Sequence, residues 1–92
     1  MATSPSPFTE LQGQYLAFIS MYTLVNGQPP AEADMQRFFG VTPPSVHNMV
    51  MGLERKGLIT RVPRQARSIA VTVSEDDLPR LQQPIKTSVA RY

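Results

Sequence analysis

"VTPPSVHNMVMGLERKGLITR", residues 41–61, sets two prolines ahead of a helical pattern, ends that pattern on Arg-Lys-Gly, and passes directly into β-branched residues. Pro43 suits the first position of a helix, where a missing N–H costs nothing, and Thr42 before it is a natural side-chain cap. Counting 100° per residue from Val46, the apolar Val50, Leu53 and Met49 fall at about 40°, 340° and 300°, one stripe with Val46. Pro44, Met51, Arg55 and Asn48 fall at about 160°, 140°, 180° and 200°, with His47 near 100° and Ser45 near 260° on the flanks. The outward face is small, polar and basic, with no acid before Glu54. A helix that enters a major groove needs hydrogen-bonding tips toward base edges and no carboxylates toward phosphates, and Ser45, His47 and Asn48 meet that requirement.

Upstream, "FTELQGQYLAFISMYTLVNGQPP" predicts a first helix. Thr9 is its N-cap and Phe8 the staple residue ahead of the cap. Leu11, Tyr15, Phe18, Ile19 and Tyr22 recur at threes and fours, one apolar face whose aromatics read as core. Asn26-Gly27 ends it and Pro29-Pro30 prevents resumption. "PAEADMQRFF" predicts a second helix with Glu32 and Asp34 in its first turn, where the helix dipole favours acids, and with Ala31, Met35, Phe38 and Phe39 buried. Gly40 closes it. Two helices joined by a short Gly-containing turn outline a helix-turn-helix.

Downstream, Gly57 stops the third helix, and Ile59, Val62, Ile69, Val71 and Val73 have the density of strands. Between them "PRQAR" is a polar, basic connection, so residues 58–73 read as a hairpin tipped with Arg64 and Arg67, Pro63 falling at the turn or on an edge. Three helices followed by a β-hairpin wing is an α+β arrangement, the winged helix-turn-helix.

On these segments the chain resembles the N-terminal DNA-binding domain of LexA-type repressors, most specifically at "LERKGLI" with the preceding "SVH" and at the wing stretch "RQARSIAV". The resemblance covers residues 8–73. It implies a third helix, about residues 43–56, in the major groove and a wing, about 58–73, on the backbone or minor groove of double-stranded DNA. The DNA-facing set is then Thr42, Pro44, Ser45, His47, Asn48, Met51 and Arg55 from the helix, with Arg64 and Arg67 from the wing. LexA-type repressors continue into a latent Ser-Lys protease domain that also dimerises; with only about twenty residues left after the wing, induction by self-cleavage is not expected here.

Charge agrees with that reading. Net charge is +2 over 92 residues, but residues 1–54 hold one base, Arg37, against Glu10, Glu32, Asp34 and Glu54, while residues 55–67 hold Arg55, Lys56, Arg61, Arg64 and Arg67 with no acid. Such clustering marks an anion-facing surface or a solvated hairpin. With 41% hydrophobic residues the chain is a folded domain, and without cysteine it has no disulfide, thiol nucleophile or Cys-ligated metal. No signal peptide or membrane span is legible, so a cytoplasmic location is the default. One histidine and five isolated glycines make neither a His-rich metal site nor a phosphate cradle, and Glu75-Asp76-Asp77 after Ser74 reads as a helix start. No enzyme, cofactor, metal or small-molecule ligand is expected.

Two ends remain. Residues 1–7 read as a flexible leader. Residues 74–92 form a tail in which Leu78, Leu81, Ile85 and Val89 have capacity to pack against the domain; joining two protomers as a homodimer, or extending Lys86 and Arg91 toward phosphates, are the other readings. The leading function is a sequence-specific transcriptional regulator acting by operator occupancy; the alternative is a winged-helix protein-interaction module, which fold alone does not separate from it.

Overall fold

The computed structural model describes residues 7–83. Three helices, α1 (Glu10–Asn26), α2 (Glu32–Phe39) and α3 (Pro43–Arg55), precede two antiparallel strands, β1 (Ile59–Thr60) and β2 (Ala70–Val71), and a short 3₁₀ turn at Glu75–Asp77. This is the winged helix-turn-helix order. The leader through residue 6, and Ile85, Lys86, Val89 and Arg91 of the tail, lie outside the described residues.

Helix α1 opens on a reciprocal capping box: Gln12 N donates to Thr9 Oγ1 at 3.1 Å, and Thr9 N donates to Gln12 Oε1 at 2.9 Å. Phe8, ahead of the cap, closes over Gly13. A Cβ on Gly13 would stand 3.0 Å from Phe8 Cε1 and 3.0 Å from Pro79 Cγ, so the missing side chain is what lets both rings approach the helix.

One expectation fails here. Instead of a single apolar face, α1 buries five consecutive residues, Tyr15 to Ile19, which no one-sided helix can do. Two segments share the cause, strand β2, which packs along α1, and the tail. Residues 74–83 pack on the side of α1 away from the other helices, where Gln14 Nε2 donates to the Arg80 carbonyl at 2.9 Å and Gln82 N donates to Gln14 Oε1 at 2.7 Å. Ser74 caps the acidic 3₁₀ turn, its hydroxyl accepting from Asp76 N at 3.3 Å.

Helices α2 and α3 meet through the turn Gly40–Thr42. Gly40 takes φ +67° and donates to the Gln36 carbonyl at 2.8 Å; a residue with a Cβ would be strained there. Thr42 then caps α3, with Ser45 N at 3.4 Å from its hydroxyl. The stripe of α3 is buried as the angles required: Val46, Val50 and Leu53 are wholly excluded from solvent against Met35 of α2 and Leu16 of α1. Tyr15 stacks on Phe39 with centroids 4.0 Å apart, and Phe18 on Phe38 at 4.7 Å, which welds α1 to α2.

The exit from α3 sets the wing. With Gly57 at φ +77°, Leu58 N reaches back to the Leu53 carbonyl at 2.9 Å, and this reversal drops Leu58 and Ile59 into the core. Ile59 pairs with Val71 and Thr60 with Ala70. The ladder is shorter than the β-branched residues of 58–73 suggest. Pro63 has no N–H to give, and Val62 N donates at 2.9 Å to the Ser68 hydroxyl and not to the opposite strand, so residues 61–69 form a loop of two turns.

The two glycines inside helices should respond oppositely to substitution. A Cβ on Gly52 meets only Arg55 Nη2, at 4.0 Å, so Gly52→Ala should stabilise the domain by about 0.5–1 kcal/mol through helix propensity. Gly13→Leu must displace Phe8 and Pro79 and should destabilise by about 1–3 kcal/mol. Thermal melts by circular dichroism distinguish the two; equal shifts would mean that the tail does not close on α1 in solution.

Candidate nucleic-acid interface

The solvent face of α3 gathers the residues singled out in the sequence. Thr42, Pro44, Ser45, His47, Asn48 and Arg55 are exposed along it, and Met51 is half-buried. The Thr42 and Ser45 hydroxyls lie 3.0 Å apart, so the capping residues are ordered by each other before any ligand arrives. Met51 is turned toward the wing side, its Sδ 3.1 Å from Arg61 Nη2. His47 Nδ1 stands 3.6 Å from Glu32 Oε2 of α2, an ion pair whenever the imidazole is protonated. Glu32 is thus an acid beside this face that helical angles along α3 alone do not reveal.

On the wing the two arginines part company. Val62–Gln65 is a β-turn closed by Gln65 N donating to the Val62 carbonyl at 3.1 Å, with Pro63 at its second position and Arg64 at its third with φ +66°. Arg64 projects into solvent from that turn. Arg67, also left-handed at φ +56°, does not face outward as the sequence suggested. Its Nη1 stands 3.0 Å from Asp34 Oδ2, 3.2 Å from the Tyr22 hydroxyl and 3.3 Å from the Pro29 carbonyl. The physical reason is the buried carboxylate: Asp34 is only 8% exposed and needs cationic partners, and the wing loop brings a guanidinium within reach. Asp34 also accepts from the Ala31 N–H at 2.8 Å and from Arg37. The Ala31 hydrogen bond first, and the nearby Arg67 and Arg37 charges with it, hold its carboxyl below the usual aspartate range despite burial.

The same inward pairing runs through the basic segment. Lys56 Nζ donates to Gln12 Oε1 at 2.9 Å, and Arg61 Nε donates to Glu54 Oε1 at 3.0 Å. Of the five cations in 55–67, three therefore tie elements together. Among the described residues, Arg55 and Arg64 have no carboxylate partner within 4.0 Å. The charge left open to an external anion lies at the end of α3 and at the tip of the wing.

This geometry, an open hydrogen-bonding helix face beside a wing with one outward arginine, coincides with a family match. The model of the LexA DNA binding domain family matches residues 5–68. The chain belongs to that family. It is 39% identical over 70 residues to the LexA repressor of Thermosipho melanesiensis, covering 76% of this chain and 35% of that protein. The LexA repressor of Thermosipho africanus is 41% identical over 63 residues, covering 68% and 32%. That of Oleidesulfovibrio alaskensis is 38% identical over 64 residues, covering 70% and 31%. The chain thus spans about a third of the length of these relatives, and the family match takes in all three helices and the wing loop up to Ser68. No helix among the described residues is long and apolar enough to cross a membrane.

Sequence reasoning missed Asp34, Tyr22 and Arg61 as parts of this site. Asp34 read as a dipole-favoured acid and Tyr22 as core, because both roles follow from local pattern, whereas their contact with Arg67 spans 33 and 45 residues. Asp34 leaves a measurable trace. Its depressed folded-state pKa means that its stabilisation is present above the unfolded aspartate value of about 3.9 and is lost as pH falls through the lower folded value. Urea midpoints measured from neutral pH down to acid should fall over that window, and Asp34→Asn should flatten the fall. Asp34→Ala, which leaves the Ala31 N–H without its acceptor, should cost about 1–3 kcal/mol at neutral pH.

Proposed function

We propose that this chain is a sequence-specific double-stranded DNA-binding transcriptional regulator that acts by occupying an operator. The observation that carries the reading is the solvent face of α3: Ser45, Asn48 and Arg55 lie exposed on it, and the only carboxylate of the helix, Glu54, is covered by Arg61. In this reading α3 enters the major groove. Asn48, near the centre of the outward face, makes paired hydrogen bonds to an adenine edge, and Ser45, His47, Thr42 and Pro44 meet neighbouring bases or phosphates. Met51 offers its apolar side to the groove floor beside Arg61. Arg55 and Arg64 grip phosphates or a narrow minor groove, while Arg67 serves by holding the wing in place. Family membership and LexA-repressor relatives support this assignment.

A single module of this size makes few contacts, so one copy binds loosely and two copies on paired half-sites bind much better. Affinity falls steeply with salt because phosphate contacts release counterions.

Reading and anchoring separate by mutation. Asn48→Ala should cost about 1–3 kcal/mol on the preferred duplex and flatten discrimination at one or two base pairs. Arg64→Ala should weaken binding to all duplexes alike and lower the salt slope by about one. Binding isotherms on a selected and a scrambled duplex at two salt concentrations give both numbers. If neither change matters, this face does not bind DNA, and a protein partner for the same surface becomes the better reading.

A further inference from the structure

We propose that Arg61 is a positioning residue for DNA binding, which works by covering Glu54 and not by gripping the nucleic acid itself. The inference rests on the DNA-binding reading above. Glu54 stands near 80° on α3 when counted from Val46 at 100° per residue, on the flank that also carries His47 and Met51 and looks toward the wing. Arg61 is the first residue after β1, and its side chain crosses back to α3. Nε lies 3.0 Å from Glu54 Oε1 and Nη2 lies 3.1 Å from Met51 Sδ.

Duplex gripped by both α3 and the tip of the wing has its phosphate backbone running between them. The strip of protein beneath that backbone is where Glu54 lies, 37% exposed. An uncovered carboxylate there repels phosphate, and like-charge juxtaposition in a partly excluded interface is among the stronger penalties against binding. Arg61 removes it. The guanidinium cancels the charge at contact distance, with Nη2 against the Met51 sulfur, leaving a neutral, half-apolar floor.

Direct contact with phosphate is the competing role for Arg61, and geometry disfavours it. The side chain is 26% exposed and two of its nitrogens are already engaged, whereas Arg64, three residues on, is open to solvent with no carboxylate partner among the described residues. Outward anchoring therefore falls to Arg64, and internal neutralisation to Arg61.

The test compares the full chain with Arg61→Ala, Glu54→Gln and the double substitution, by fluorescence anisotropy on a duplex selected by the unaltered chain, at two salt concentrations. Arg61→Ala should bind about tenfold more weakly. Glu54→Gln should bind at least as tightly as the unaltered chain does, because it removes the carboxylate and leaves the Arg61 charge unopposed. The double substitution should return to within about threefold of the unaltered chain with an undiminished salt slope, because no phosphate contact has been lost. A double substitution as weak as Arg61→Ala, with a salt slope lower by about one, overturns the proposal and makes Arg61 a phosphate ligand. Normal binding by Arg61→Ala overturns it too. Circular dichroism melts accompany each chain, and if Arg61→Ala fails to fold, Arg61→Met, which keeps an uncharged unbranched side chain there, carries the same comparison with and without Glu54→Gln. Absence of binding by the unaltered chain at either salt sinks the DNA-binding reading itself, and this proposal with it.

Discussion

The wing is held onto the helices by one buried carboxylate. Asp34 sits in the first turn of α2, closes the helix start through the Ala31 N–H, and holds Arg67 of the wing loop at 3.0 Å. A buried anion without partners is expensive, and removing one member of such a set strands the others, so the group behaves as a unit. Its members come from four parts of the chain: Tyr22 from α1, the Pro29 carbonyl from the α1–α2 connection, Arg37 from α2 and Arg67 from the wing. Since α2 also packs on α3 through Met35, the same anchor that ties the wing to α2 helps to set the wing relative to α3.

That arrangement changes how the basic segment is understood. Five cations without an acid in residues 55–67 read in one dimension as an anion-binding stretch. In three dimensions Lys56, Arg61 and Arg67 each bridge to a different element, reaching α1, α3 and α2 respectively. The acids and amides that receive them, Asp34, Glu54 and Gln12, belong to the half of the chain whose net charge is negative. The imbalance along the sequence is therefore largely a device for docking the second half onto the first. What it leaves for an external anion is smaller in charge and sharper in position, at Arg55 and Arg64. Fewer open cations make the non-specific part of any DNA affinity lower, which leaves more of the discrimination to the hydrogen-bonding tips on α3.

The helices and the buried stripe of α3 were legible because they are set by local rules. Caps at Thr9 and Thr42, terminators at Gly27, Gly40 and Gly57, and apolar spacing each act within four residues. Three features were not legible, and all three depend on distant partners. The second buried side of α1 needs the tail, whose Gln82 meets Gln14 across 68 residues. The inward turn of Arg67 needs Asp34. The short ladder of the wing needs Ser68, whose hydroxyl takes over the Val62 N–H that a longer hairpin would have paired across. The residues of α3 expected to face outward do so because a helix exposes what it does not bury. Of the two wing arginines only Arg64 projects into solvent, since a loop obeys no such periodicity.

The wing loop carries a further physical statement about its two arginines. Both occupy the left-handed region, at φ +66° and +56°, where glycine is at ease. A residue with a Cβ gives up roughly 1–2 kcal/mol to sit there. Glycine at either place would ease the backbone but lose the side chain, so the strain is tolerated where the side chain is needed. For Arg67 the need is visible inside the fold, in the contacts to Asp34, Tyr22 and Pro29. For Arg64 it is not: among the described residues no carboxylate within 4.0 Å compensates the strained turn that holds its side chain outward. That turn is closed from inside the loop, by the Gln65 N–H on the Val62 carbonyl and the Ser68 hydroxyl on the Gln65 carbonyl, so the left-handed backbone is held in place while the Arg64 side chain stays in solvent, where the proposed phosphate contact would find it.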